Sequence, residues 1–267
     1  MKSAFYPPAQ AYLCYHYISG NKPTHVYLAG LGLGSTGYYP SLIYGSALAA
    51  YHTLMPDFLG FGYSEKPDAF GYTVDEHADS IAFLLDKLHA SNCTVIGHSF
   101  GGAAAIALAT KRPDLVGRLV LAEAVLDAGD WFGAAAQSEE QWIAGGHTPV
   151  LEMTRKMLPD YAESDLGWWP VEKSAIPDFP FYRTACSLAH DPQPTWRQQL
   201  YQLTIPRLCL LGEVSIEKKS VRIEEKDELP THGVQVAILP RAEHMNLMST
   251  NPPAFVRAIT DFEAHNK

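Results

Sequence analysis

A chain of 267 residues with 47% apolar side chains has enough material for one large core, and 18% charged residues leave it an ordinary surface. Its net charge of −9, without a lysine or arginine run, argues against nucleic acid and anionic membrane as partners. No stretch approaches the roughly 18 apolar residues that span a bilayer. Met1–Gln10 carries one lysine and no apolar segment of the kind a secretory signal needs. The four cysteines, Cys14, Cys93, Cys186 and Cys209, are scattered, which fits a reducing compartment better than a disulfide framework. The expectation is a cytoplasmic protein, monomer or homodimer, with no metal site.

In chain order, Tyr12–Ile18 alternates aromatic and polar residues and predicts a strand. Asn21-Lys22-Pro23 predicts a turn and His25–Ala29 a second strand. Gly30-Leu31-Gly32-Leu33-Gly34-Ser35-Thr36-Gly37 follows, then a predicted helix over Tyr38–Ala50 and a strand over His52–Met55. This G-x-G-x-x-G has two readings. It fits the phosphate loop of a dinucleotide-binding βαβ unit. It also fits a glycine-rich turn whose backbone N–H stabilises an oxyanion. The second is favoured because a strand pair precedes the fingerprint, and because another sharp strand-turn-helix, this one carrying a serine, follows about 60 residues later.

Pro56–Ser64 is a long turn in which Asp57 and Ser64 are expected to satisfy loop amides. Thr73 opens a helix with Ile81, Leu84, Leu85 and Leu88 on its apolar face. Cys93–Ile96 then runs into Gly97-His98-Ser99-Phe100-Gly101, with a small-residue helix over Gly102–Thr110. A serine between two glycines at a strand-to-helix junction is a nucleophile-elbow pattern, and Ser99 would stand at a helix N-terminus that favours developing negative charge. Leu119–Ala122 is another buried strand, ending at Glu123. Strands alternating with helices predict an α/β fold: a doubly wound, mostly parallel sheet.

The segments Ala29–Gly32, Pro56–Ser64, Gly97–Gly102 and Pro240–His244 resemble the motif series of the α/β-hydrolase superfamily, in its order and at its spacings across nearly the whole chain. Ala29 departs from the histidine many members carry there, a position that is usually structural. The resemblance implies that Val125–Leu203 is a helical cap inserted after the sixth strand. Composition agrees: all five tryptophans (Trp131, Trp142, Trp168, Trp169, Trp196) and seven prolines fall there, and short helical pieces at Glu139–Ala144 and Pro149–Met157 replace the β/α rhythm. The expected organisation is residues 1–124 as the first part of the core, 125–204 as the cap and 205–267 as the last part. In that last part Pro206–Leu211 and Val234–Leu239 are strands, and Ser215–Glu228 and Pro252–Phe262 are helices.

The resemblance also implies Ser99 as nucleophile, His244 as base and the amides of Leu31 and Phe100 as oxyanion donors. The usual acid follows the seventh strand, but here that turn reads Gly212-Glu213-Val214-Ser215, with serine at the acid's position. Haloalkane dehalogenases take their acid from the end of the sixth strand instead, and Glu123 lies there, 24 residues after Ser99. Asp127 and Glu217 are the alternatives. The dehalogenase likeness stops at the acid, because those enzymes attack with aspartate. A serine implies acyl transfer: hydrolysis of an ester-like bond of a small, apolar substrate, without a cofactor. Carbon–carbon hydrolase or lyase chemistry on the same residues, or a ligand sensor keeping the fold, are the other readings.

Overall fold

The computed structural model describes residues 1–130, 132–145, 178–218 and 225–266. Its central strands are apolar on both faces, and both faces are therefore covered. β5 (Cys93–His98) and β7 (Arg207–Gly212) are buried along their whole length. They lie in an eight-stranded sheet with β1 (Lys2–Tyr6), β2 (Ala11–Ile18), β3 (Lys22–Leu28), β4 (Tyr51–Pro56), β6 (Val116–Ala122) and β8 (Gln235–Leu239), in the order β1-β2-β4-β3-β5-β6-β7-β8. β1 and β2 are antiparallel and everything from β4 to β8 is parallel. β1 went unpredicted because Lys2–Tyr6 is short; its Ala4 and Tyr6 alternate inward opposite Leu13 and Ala11.

One face carries α3 (Val74–Lys87) and α4 (Phe100–Lys111). Thr73 and Glu76 close α3 with a reciprocal capping box. α4 is apolar all round, and its alanines 103–105, 107 and 109 are buried between the sheet and α3, as a helix without a polar face must be. The other face is covered by α10 (Pro252–His265), whose Phe255, Ile259 and Phe262 pack with Tyr27, Ile96, Val120 and Leu210. The architecture is the expected α/β arrangement, a mostly parallel sheet wound on both sides.

Two predicted helices are not continuous. The segment 38–50 forms α1 (Ser35–Tyr38), α2 (Pro40–Ile43) and a 3-10 turn (Ala47–Ala50). Pro40 cannot donate a helical N–H, and Gly45 turns the chain at φ +76°. The segment 215–228 forms α8 (Glu213–Glu217) and α9 (Glu225–Thr231), with 219–224 outside the described residues. Between β6 and β7 the described residues form α5 (Glu139–Gly145), α6 (Asp178–Leu188) and α7 (Trp196–Gln202). The helix expected at Pro149–Met157 and the residues Trp131, Trp168 and Trp169 lie outside the described residues. Trp142 stacks on Phe181, and Trp196 is buried in the core between sheet and α4.

α6 is tied to the core. Ser187 Oγ accepts from the Val74 amide at 3.0 Å. Arg183 donates to the Asp68 and Phe70 carbonyls and forms a bidentate pair with Glu139. No helix among the described residues is long and apolar enough to cross a membrane.

Candidate active site

The site stands at the C-terminal ends of β3, β5, β6 and β7, where a parallel sheet presents its crevice. β5 ends in a turn so tight that a side chain at Gly97 would strike the carbonyl of Gly101, and one at Gly101 the carbonyls of Leu28 and Ala29. Ser99 occupies the turn at φ +55°, ψ −121°, a conformation costing a non-glycine residue about 1–3 kcal/mol. The neighbours hold it there. Its amide donates to Ala122 O at 3.1 Å, and its carbonyl accepts from Gly102 N at 2.9 Å and Val125 N at 3.1 Å. Three main-chain bonds thus oppose relaxation of the turn.

His244 comes from a short 3-10 turn (His244–Asn246) past β8. Its Nε2 lies 3.1 Å from Ser99 Oγ, and its Nδ1 lies 2.9 Å from Glu123 Oε2. With Glu123 ionised, a carboxylate only accepts, so Nδ1 carries the proton and Nε2 presents its lone pair to the serine O–H. Glu123 is itself fixed. Its backbone sits at φ +41°, its amide donates to Leu210 O at 3.0 Å, and its second oxygen accepts from Gly212 N at 2.7 Å. Its side chain is fully buried, whereas that of His244 is 37% exposed. A buried carboxylate bridging β7 and an accessible imidazole is arranged to orient a base.

The other carboxylates considered stand elsewhere. Asp127 forms a bidentate pair with Arg197, at 2.8 and 2.6 Å, within a cluster that also holds Glu225. Glu217 is exposed on α8, and Ser215, at the usual acid position, is buried on the same helix. Asp57 and Ser64 do loop work. Asp57 accepts from Thr36 and Tyr63, and Ser64 links Asp57 O to the Cys14 amide. Burial pushes the Asp57 carboxyl up, against the hydrogen bonds that favour its charged form.

The loop after β3 reaches over the serine. A Cβ placed on Gly30 would lie 3.4 Å from Ser99 Cβ, so Leu31 follows one residue after a direct approach to Ser99. Phe100 is the first residue of α4, whose first-turn amides have no carbonyl partner within the helix. Leu31 also packs against a cluster of Ala134, Trp142, Phe181 and Ala185 from the segment between β6 and β7, which brings apolar side chains to the edge of the site.

Two contributors were not read from the sequence. The Gly212 amide holds the Glu123 carboxylate, and a backbone donor leaves no trace in a sequence. His98, which stands between the first glycine of the elbow and Ser99, is buried, with Nε2 3.0 Å from the His244 carbonyl. The usable signal was period: His98 continues the face of β5 that buries Ile96.

The alpha/beta hydrolase fold family matches residues 26–215. A 2-hydroxymuconate semialdehyde hydrolase from Pseudomonas putida is 38% identical over 109 residues, 41% of this chain and 37% of that enzyme's length. The match thus spans little more than a third of that relative. The solved enol-lactonase from Burkholderia xenovorans LB400 superposes with a TM-score of 0.76 at 18% identity, covering 98% of this chain and 100% of that one. A meta-cleavage product hydrolase from Pseudomonas fluorescens IP01 does so at 0.68 and 22% identity, covering 100% of this chain and 98% of that one. The sheet order, the elbow after β5 and the extent of the family match lead to one assignment: the chain belongs to the alpha/beta hydrolase fold family.

Proposed function

We propose that this chain is a serine hydrolase cleaving an ester-like bond (carboxylester, thioester or lactone) of a small, apolar molecule through an acyl-enzyme. The observation that carries the reading is the continuous hydrogen-bonded line from Glu123 through His244 to Ser99. Ser99 Oγ attacks the carbonyl carbon while His244 Nε2 takes the hydroxyl proton. The carbonyl π pair becomes an oxyanion held by the amides of Leu31 and Phe100, each contributing about 3 kcal/mol. Collapse breaks the bond to the leaving group, which departs with the proton from the imidazolium. Water then attacks the acyl-enzyme with His244 again as base, and the acid leaves. Glu123 keeps the imidazole in the Nδ1–H tautomer and balances its transient charge.

Residues 125–204 act in this reading as a cap over a core formed by 1–124 and 205–267. The aromatic cluster against Leu31 supports an apolar substrate. The site needs no cofactor for this chemistry. A chain-length series of p-nitrophenyl esters tests it: Ser99→Ala is expected to lose 10⁴-fold or more in kcat/KM, as removal of such a nucleophile does on the order of 10⁶ elsewhere. Turnover unchanged in Ser99→Ala overturns the assignment.

A second reading is carbon–carbon bond hydrolysis on the same residues, favoured by the likeness to a 2-hydroxymuconate semialdehyde hydrolase. Turnover of a vinylogous diketone with no activity on any ester selects it. Thermal shifts with diverse ligands and no turnover on esters, lactones or diketones would select a ligand sensor.

A further inference from the structure

We infer that His98 is a positioning residue: its imidazole N–H holds the peptide of His244 and so keeps the base in register with the neighbouring Ser99. The inference rests on the proposed roles of Ser99 and His244. His244 sits on a three-residue 3-10 turn with a half-exposed ring, an element too short to define a base by itself. One side of the turn is closed by Asn246, whose Oδ1 accepts from Glu243 N at 2.8 Å and whose amide donates to Glu243 O at 3.0 Å. The His244 carbonyl receives its bond from His98 Nε2 at 3.0 Å.

A carbonyl only accepts, so the proton of His98 is on Nε2 and its Nδ1 holds a lone pair. The Tyr38 hydroxyl lies 3.4 Å from that Nδ1, on the side from which it can donate. His98 is 2% exposed. Burial, reinforced by His244 alongside it, lowers its pKa to about 3, so the neutral Nε2–H form persists at neutral pH. The two imidazoles stand 4.9 Å apart at a 36° tilt.

The consequence is geometric. Residues 98 and 99 share a peptide bond, and residue 244 arrives from 145 positions along the chain. A hydrogen bond from 98 to 244 converts that distant loop into a neighbour of the nucleophile. An apolar side chain of similar size would fill the space and provide no donor.

The experiment compares wild type with His98→Leu, His98→Gln, Tyr38→Phe and Ser99→Ala. It reads kcat and KM on the best p-nitrophenyl ester, the rate of fluorophosphonate labelling, the melting temperature, and the downfield proton resonance of the His244–Glu123 hydrogen bond. His98→Leu is expected to lose kcat and labelling rate on the order of 10- to 100-fold with KM nearly unchanged, as a small misplacement of a catalytic group does. Its downfield proton should broaden. His98→Gln, which restores an N–H near the position of Nε2, should recover most of the loss, and Tyr38→Phe should cost only a few-fold.

Full-speed labelling in a folded His98→Leu, or a His98→Gln no better than the leucine variant, overturns the inference. If His98→Leu does not fold, nitrogen-15 spectra of the wild type decide: an Nε2–H tautomer at His98 across neutral pH is expected, and an Nδ1–H tautomer overturns it. A wild type that fluorophosphonate does not label at Ser99 strikes the nucleophile itself and the positioning role with it. Full labelling of the leucine variant strikes His98 alone.

Discussion

The protein uses the same pair of side chains twice, at opposite ends of one sheet and to opposite effect. At the C-terminal ends of the strands Glu123 holds His244 at 2.9 Å; towards their beginnings Glu263 holds His25 at 3.1 Å. The chemistry of the contact is alike, and the surroundings decide what each can do. His25 is wholly enclosed, stacked on Tyr51 at 3.8 Å, with Nδ1 occupied by the Tyr27 hydroxyl and Nε2 by Glu263. Both nitrogens are spent inside the protein, and the pair pins α10 to β3 and β5, with Thr94 adding a 2.5 Å bond to the same carboxylate. His244 spends only Nδ1 on its carboxylate. Its Nε2 faces the Ser99 hydroxyl from a side chain that solvent reaches. An imidazole–carboxylate pair is therefore a fastener when closed, and in the proposed reading it is an acid–base device when one nitrogen faces a reactant.

The strongest way to break this contrast is to neutralise each carboxylate in turn. Glu123→Gln keeps the shape but allows the amide to donate toward Nδ1, which turns the imidazole to the wrong tautomer. The expected loss in kcat is on the order of 10³- to 10⁴-fold, with a melting temperature close to wild type. Near-full kcat in this variant would place the orienting carboxylate elsewhere. Glu263→Gln should do the reverse. Removing a charge that serves His25, Thr94 and the nearby Arg118 should cost about 1–3 kcal/mol in denaturant unfolding while kcat stays within a factor of two. A stable Glu263→Gln with depressed turnover would mean that the lower pair communicates with the site.

The two pairs also differ in how far they could be read in advance. The elbow around Ser99 was legible because sharp turns constrain sequence locally, with glycine required on both sides; His244 was picked out by the resemblance, at its place after the last strand, and the structure sets the two side chains within hydrogen-bond reach. Glu123 was suggested by the resemblance alone, since Ser215 stands where the acid usually does and the dehalogenase pattern offers the end of the sixth strand, and the structure places its carboxylate 2.9 Å from His244. The parallel sheet was legible from continuous apolar runs such as Leu119–Ala122. His25 and Glu263 are 238 positions apart, each unremarkable in its own element, and only the packing of α10 on the sheet brings them together. The break at Pro40 leaves little trace in the pattern, because apolar residues on both sides preserve the helical period. His98 is hidden in the same way, since nothing in the strand indicates that its ring will meet a loop from the far end of the chain.

Acidity sharpens the contrast further. His25, His77 and His98 are buried, and burial is the leading cause that holds all three below the ordinary histidine value; for His77 and His98 it reaches about 3. The native state keeps them neutral while the unfolded chain takes up protons below about pH 6.5. His77 and His98 therefore each subtract about 1.4 kcal/mol of stability per pH unit as the pH falls below that value, until the native ring titrates as well, and His25 acts in the same direction. Glu263 acts lower down. Burial pushes its carboxyl up, but the bonds from His25 and Thr94 and the charge of Arg118 outweigh this and leave it below the usual range. Its stabilisation is lost only as the pH drops below the unfolded carboxylate value of about 4.3. Urea unfolding across this window should show a steep acid slope that is dominated at first by the three histidines.

His77 gives the smallest and cleanest test. Its ring lies among Phe58, Phe61, Phe70, Tyr72 and Phe100. Its Nε2 is 3.3 Å from Thr184 Oγ1, which donates to Pro180 O and so accepts from the ring. Its Nδ1 has no hydrogen-bond partner among the described residues. It contributes a buried base without the carboxylate that His25 has. His77→Phe removes the proton site and keeps a ring, so its stability at neutral pH depends on packing, but its slope depends on protons alone. Between pH 6.5 and the low-pH limit the slope should fall by about 1.4 kcal/mol per pH unit, one histidine's share. An unchanged slope would mean that His77 takes up a proton in the folded protein, and that burial among aromatic rings does not suffice to keep an imidazole neutral here.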